Sequence, residues 1–165
     1  MNLADAVAAA PALADERALA ELRREVDEEL ETAIRSEDFR ERALAYRAIG
    51  TLNFAQKTEL LRRGMEDDSP ACRGSALLSL ELLSRDHPGL VNARRPMLHK
   101  LVNADPNETV RRLAVLCLKN GPPARDTLVF LDHLTDSDEE KQLRDTATSV
   151  LQTLKRKAAD APRKP

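Results

Sequence analysis

The chain has no tryptophan, one tyrosine and three phenylalanines, so aromatics are only 2% of its residues. That leaves almost nothing on which nucleobases could stack. It also means that the core must be built from aliphatic side chains. Glycine is scarce, at five residues, and no glycine-rich phosphate loop or GxSxG elbow is present. The two cysteines, Cys72 and Cys117, form no CxxC pattern and there is no HExxH, which leaves no recognisable zinc-ligand set and no disulfide framework. No metal or other cofactor is expected. A reducing, cytoplasmic setting fits this cysteine usage. No run of about 18 apolar residues exists, so no membrane span is expected. The opening "MNLADAVAAAPALADERALAEL" carries acids early and no basic cluster, and it reads as lacking a signal peptide. Net charge is -2, against a generalised nucleic-acid binder.

What remains is rich in helix formers. Hydrophobic residues make up 42% and charged residues 33% of the chain, a foldable composition dominated by Leu, Ala, Glu and Arg. Residues 1–12, Ala-rich with Pro11, read as a flexible N-terminus. In "LADERALAELRREVDEELETAIRS", Leu19, Leu22, Val26, Leu30, Ala33 and Ile34 recur at steps of three and four, one face of a helix. The other face holds Glu25, Asp27, Glu28, Glu29 and Glu31. It reads as a solvated surface, with docking of a basic partner as the sharper alternative.

Punctuation then sets off a series of helices. Ser36 is placed as a cap for a helix over about 38–51. Asn53 with Gln56 reads as a capping box for a helix ending near Gly64. Ser69-Pro70 opens a helix to about Ser84, a helix over about 89–103 follows, and Asp105-Pro106 with Glu108 opens the next. A helix from about Pro123 to Thr135 precedes one capped by Ser137 with Glu140 and reaching about Lys157. The end of the chain, 155–165, reads as a disordered basic tail. About eight helices in antiparallel pairs are expected, with no strand.

An internal repeat distinguishes this series from a simple bundle. Arg42, Arg73, Arg111 and Arg144 recur at spacings of about 31 to 38 residues. Three positions after each stands Ala45, Ala76, Ala114 or Ala147, and seven after stands Ile49, Leu80, Leu118 or Leu151. One before stands Glu41, Cys72, Val110 or Leu143, and six before stands Ser36, Asp67, Asp105 or Asp138. The alanine marks a close helix approach, the apolar columns a shared core, and the aspartate a helix-opening turn.

Asp105, Val110, Arg111, Ala114 and Leu118 spell D-x(4)-V-R-x-x-A-x(3)-L. This pattern resembles HEAT repeats, members of the HEAT/armadillo class. Asp138, Leu143, Arg144, Ala147 and Leu151 follow it closely, as do Asp67, Cys72, Arg73, Ala76 and Leu80. The resemblance covers about residues 36–154 and implies an all-α fold, a right-handed α-solenoid of about four HEAT-like helical hairpins. The hairpins would span 13–52, 53–84, 89–120 and 123–154, within a repeat domain of 13–154. It implies a ladder of hydrogen bonds from the repeat arginines to turn aspartates of adjacent repeats, so that Arg73, Arg111 and Arg144 are structural. Pro96 resembles the helix-kinking proline frequent in the first helices of that family. The first unit departs from the pattern at Ser36 and Glu41, as a terminal capping unit would.

Without a catalytic constellation, the expected function is a non-enzymatic protein–protein interaction scaffold, with a protein or peptide in a concave groove lined by the second helices. The columns one, five and eight residues after each arginine should face it: Ala43, Arg47 and Gly50; Gly74, Leu78 and Glu81; Arg112, Leu116 and Lys119; Asp145, Ser149 and Gln152. Of these, Arg47, Leu78, Glu81, Arg112, Leu116 and Lys119 are the candidate partner-binding residues. Three alternatives stand beside this reading. One is nucleic-acid binding through Arg94, Arg95, Lys100, Arg111, Arg112 and Lys119, which the charge and the scarce aromatics disfavour. Another is an accessory subunit of the bilin-lyase type. The last is a weak homodimer formed through Val150, Leu151 and Leu154 at an uncapped end. "DSDEEKQLRDTA" is not a calcium loop, because Lys141 takes the place of its glycine and Ala147 that of its final glutamate.

Overall fold

A computed structural model describes residues 1–13, 15–137 and 139–162. Among them the chain is helical throughout: α1 (Leu3–Ala9), α2 (Glu16–Ala33), α3 (Phe39–Thr51), α4 (Thr58–Met65), α5 (Pro70–Ser84), α6 (Gly89–Ala104), α7 (Glu108–Leu118), α8 (Arg125–Thr135) and α9 (Lys141–Asp160). Short 3-10 turns at Ala10–Ala12 and Ala55–Lys57 precede α2 and α4. The residues fall into two compact units, Met1–Leu83 and Ser84–Pro165.

In the first unit, the apolar stripe of α2 is buried as its spacing requires, with Val26 and Leu30 both 0% exposed. Asp15 opens this helix by accepting from the Arg17 N–H at 3.0 Å. The opening segment, expected to be flexible, forms a helix that packs on α2 and α3 and buries Leu3 and Ala6. The acidic side of α2 is what holds it, since Glu29 accepts from the Leu3 N–H at 2.8 Å. The same acidic side grips the turn before α4, where Lys57 pairs with Asp27 at 2.9 Å and Glu31 at 2.6 Å. Glu25, Asp27, Glu28 and Glu29 are exposed and Glu31 is half-buried, so the acidic run is a solvated face, as expected, that also fastens the segments beside it.

Four caps differ from expectation, among them Asn107 in place of Asp105 at α7 and Glu140 in place of Ser137 at α9. Asp38, not Ser36, caps α3, accepting from the Arg40 N–H at 2.9 Å. Asn53 does not open α4; it closes α3. Its φ of 54° is left-handed. The Phe54 N–H donates to the Ile49 carbonyl at 2.8 Å and the Asn53 N–H to that of Gly50 at 3.1 Å. This is the Schellman arrangement, completed by burial of Phe54 and Ile49.

In the second unit, α6 packs on α7, and α9 packs on both α7 and α8. Asn107 caps α7, accepting from the Val110 N–H at 3.0 Å. Pro96 lies inside α6. Helix α9 continues to Asp160, so residues 155–160, expected to be disordered, are helical; Arg163, Lys164 and Pro165 lie outside the described residues. The expected exposed apolar end is absent. Val150, Leu151 and Leu154 are only 2%, 6% and 0% exposed. As far as Lys157 the exposed residues of α9 are polar, among them Thr148, Ser149 and Gln152. The basis for a weak homodimer through these three residues is thereby lost.

Candidate functional site

The repeat columns place the arginines first. Arg42 grips Asp67 with both ends of its fork, Nε to Oδ2 at 2.9 Å and Nη2 to Oδ1 at 3.1 Å. Its Nη1 donates to the carbonyls of Ser36 and Glu37 in its own turn. Arg73 folds back in the same way on the carbonyls of Asp67 and Asp68. Asp67 also accepts from the Ser69 N–H at 2.9 Å, the role that Asp105 plays for Asn107 and Ser36 for Asp38. The column that opens with Ser36 is thus a true structural equivalence. Burial alone would raise the Asp67 carboxyl, but Arg42 and the Ser69 amide hold it below the usual carboxylate range. The hydrogen bonds that Arg42 donates to Asp67 push its guanidinium further up.

In the second unit, Arg111 donates to the Val102 carbonyl at 2.6 Å and to the Glu139 carboxylate at 2.8 Å. Glu139, next to the expected Asp138, receives it; Asp138 lies outside the described residues. The Arg111 bond lowers the Glu139 carboxyl, and Glu139 raises the Arg111 guanidinium. Arg144 reaches the Ser137 carbonyl at 3.5 Å.

The six candidate partner-binding residues fall into two sets of three, one in each unit. Arg47 lies on α3, and Leu78 and Glu81 lie on the adjacent α5. The two helices are joined where Ser79 Oγ donates to the Tyr46 carbonyl at 2.5 Å and accepts from the Gly50 N–H at 2.9 Å. Leu78 is 36% exposed, one of few large hydrophobic side chains that are. Arg47 is half-buried, and its Nη1 is shielded from solvent with no hydrogen-bond acceptor among the described residues. Gly50, expected to face outward, is buried: a Cβ there would lie 2.5 Å from Ser79 Cα. In the second unit Arg112 and Leu116 on α7 and Lys119 at its C-terminal cap are all half-buried, and Arg112 is hydrogen-bonded to Gln142.

Sequence reasoning missed Ser79 and Gly64. Gly64 lies within α4, where a Cβ would come within 2.7 Å of Ala76 Cβ and 2.8 Å of the Tyr46 ring. The repeat alanine marks a close approach, as expected, and Gly64 is its counterpart across the joint.

One cleft of about 430 Å3 lies at the turn end of the first unit, lined by residues including Arg35, Arg42, Tyr46, Arg63 and Asp67. Its innermost charges, Arg42 and Asp67, already satisfy each other. No group of His, Cys, Asp and Glu among the described residues could hold a metal ion. No described helix is long and apolar enough to cross a membrane. His99 stacks on Phe130 with ring centroids 4.6 Å apart, and its Nε2 lies 3.1 Å from Thr127 Oγ1. His87 and His133 are exposed.

Helical hairpins joined by an arginine–carboxylate ladder define an α-helical repeat protein. The family model for HEAT repeats matches residues 26–118, and the chain belongs to that family. HEAT repeats are solenoids of helical hairpins and generally mediate protein interactions. No curated protein matches the chain.

Proposed function

We propose that the protein is a non-enzymatic interaction scaffold that binds a protein or peptide partner through the outward side of its second helices. The observation that carries this reading is the α3–α5 face of the first unit. There Arg47 and the exposed Leu78 stand on helices locked together by Ser79, with half-buried Ala43 and Gly74 as small neighbours. In the second unit, Leu116 on α7 and Lys119 at its C-terminal cap are candidates in their own right.

The fate of the shifted titratable groups supports a scaffold. Arg42 with Asp67, Arg111 with Glu139, and Lys57 with Asp27 and Glu31 each fasten one element to another. Perturbed groups of this kind also mark catalytic sites, but only where they converge on a cavity with an unspent donor or base. Two buried cysteines outside any disulfide fit a cytoplasmic setting.

The basic residues considered for phosphate binding are largely used internally. Arg95 pairs with Asp126, Arg111 with Glu139 and Arg112 with Gln142, while Arg94 is only 7% exposed. Phosphate contacts need such groups free to replace counterions.

The test is affinity purification from the native organism with mass spectrometry. Wild type is compared with Leu78→Glu, Leu116→Glu and the double variant, each verified for normal helicity by circular dichroism. A protein partner retained by wild type and lost by the variants supports the reading. Partners unchanged in all the variants would place binding on another surface, and recovery of nucleic acid alone would overturn it.

A further inference from the structure

Half-buried arginines in the first unit are, with one exception, supplied with acceptors by the chain itself. Arg42 has Asp67 and two carbonyls, and Arg73 has the carbonyls of Asp67 and Asp68. Arg23 has Glu16 and the Leu52 carbonyl. Arg47 is the exception, because its Nη1 is shielded and has no acceptor among the described residues. A guanidinium cannot shed its charge, so an unmet donor is a standing cost that an arriving anion relieves.

The setting says what kind of anion. The Arg47 carbonyl accepts from Ser79 Oγ at 3.2 Å, which puts the backbone of Arg47 directly beside that of Leu78 and Ser79 on α5. Leu78, adjacent in sequence to Ser79, supplies exposed apolar surface on the helix packed against that of Arg47. A free inorganic anion would make no use of Leu78, and a purely apolar segment would bury the cation unpaired. A peptide carboxylate next to an aliphatic or aromatic side chain satisfies both, since a planar guanidinium pairs with a carboxylate through two parallel hydrogen bonds.

We infer that the α3–α5 face binds an acidic protein segment, with an Asp or Glu side chain on Arg47 and a neighbouring apolar side chain on Leu78. Rotation about the outer bonds of the Arg47 side chain brings its fork to the surface as the carboxylate arrives. This inference rests on the scaffold reading above and adds the chemistry of the partner.

The test pans a phage-displayed random dodecapeptide library on the full chain, then measures the selected peptides, fluorescein-labelled, by fluorescence anisotropy. The selected peptides are expected to share an Asp or Glu near a Leu, Val or Phe. Arg47→Gln should weaken them by about tenfold to a hundredfold, the usual worth of a charge-assisted pair. Arg47→Glu should abolish binding, and changing the peptide's acid to Lys should restore binding to that variant. Arg47→Lys, which keeps the charge, should lose less than Arg47→Gln, and Leu78→Ser should weaken binding independently of charge. The charge-swap rescue separates pairing from a general loss of structure. Peptides without acids, or acidic peptides indifferent to Arg47, would overturn the inference while leaving the scaffold reading in place. A library that yields no binder would count against both.

Discussion

At the scale of single residues, one pair carries the repeat architecture of the first unit. The side chains of Arg42 and Asp67 are 19% and 9% exposed, so they sit between a screened surface pair and a fully buried one. Asp67→Ala strips Arg42 of its carboxylate and the Ser69 N–H of its acceptor. The expected loss is about 2–4 kcal/mol, nearer the buried limit because one charge stays behind unpaired. Urea denaturation followed by circular dichroism measures it. Asn53 offers a test whose sign is diagnostic. As a left-handed residue closing α3, it should give way to glycine with a gain in stability of up to about 1 kcal/mol and to alanine with a loss of about 1 kcal/mol. An N-cap would instead lose slightly on change to glycine. Asparagine serves both ends of helices, which is why its spacing to Gln56 misleads. The ladder arginines were legible because an identical job recurs at a fixed offset. The unpartnered nitrogen of Arg47 was not, since the lack of an acceptor depends on where every neighbouring helix lies.

At the scale of helices, close approach is the controlling quantity. Gly50 and Ser79 meet where a methyl group on Gly50 would strike the α5 backbone. Gly50→Ala gains up to ~1 kcal/mol in helix propensity and loses about 1–3 kcal/mol by overpacking, so a net fall in melting temperature is expected. Differential scanning calorimetry decides the balance. The helices from α5 to α7 were the most legible, because Ser69-Pro70, His87-Pro88-Gly89 and Asp105-Pro106 punctuate them with residues of unambiguous backbone preference. Helix α1 escaped notice because alanine fills most of its positions and leaves little contrast between its faces. Its order comes from outside, through the acids of α2. Gly64 and Gly50 were opaque for a related reason: a glycine that admits a neighbouring helix looks, in one dimension, like a glycine that ends its own.

At the scale of the whole molecule, the charged joints make stability depend on pH in one direction. Asp67 and Glu139 both lie below the usual carboxylate range in the folded chain. As pH falls through about 4, the unfolded chain takes up these protons first, and the stability present at neutral pH is lost. His99 acts earlier with the same sign. Burial holds its imidazole below 6.5, so the unfolded chain is protonated first as pH drops through that value. Melting temperature is expected to decline gently from neutral pH, then steeply in acid, and His99→Gln should remove the gentle part. Measurement between pH 8 and about 3 checks both stages; a melting temperature that rises on mild acidification would refute the sign for His99.

The two cysteines add a property of a different kind. Cys72 lies in the first unit and Cys117 in the second, and both are outside any disulfide and 0% exposed. An alkylating reagent can reach either thiol only when the helices around it part. Peptide mapping by mass spectrometry after timed alkylation would therefore clock the opening of each half of the chain separately, with no probe introduced. It would also register which half a bound partner keeps closed.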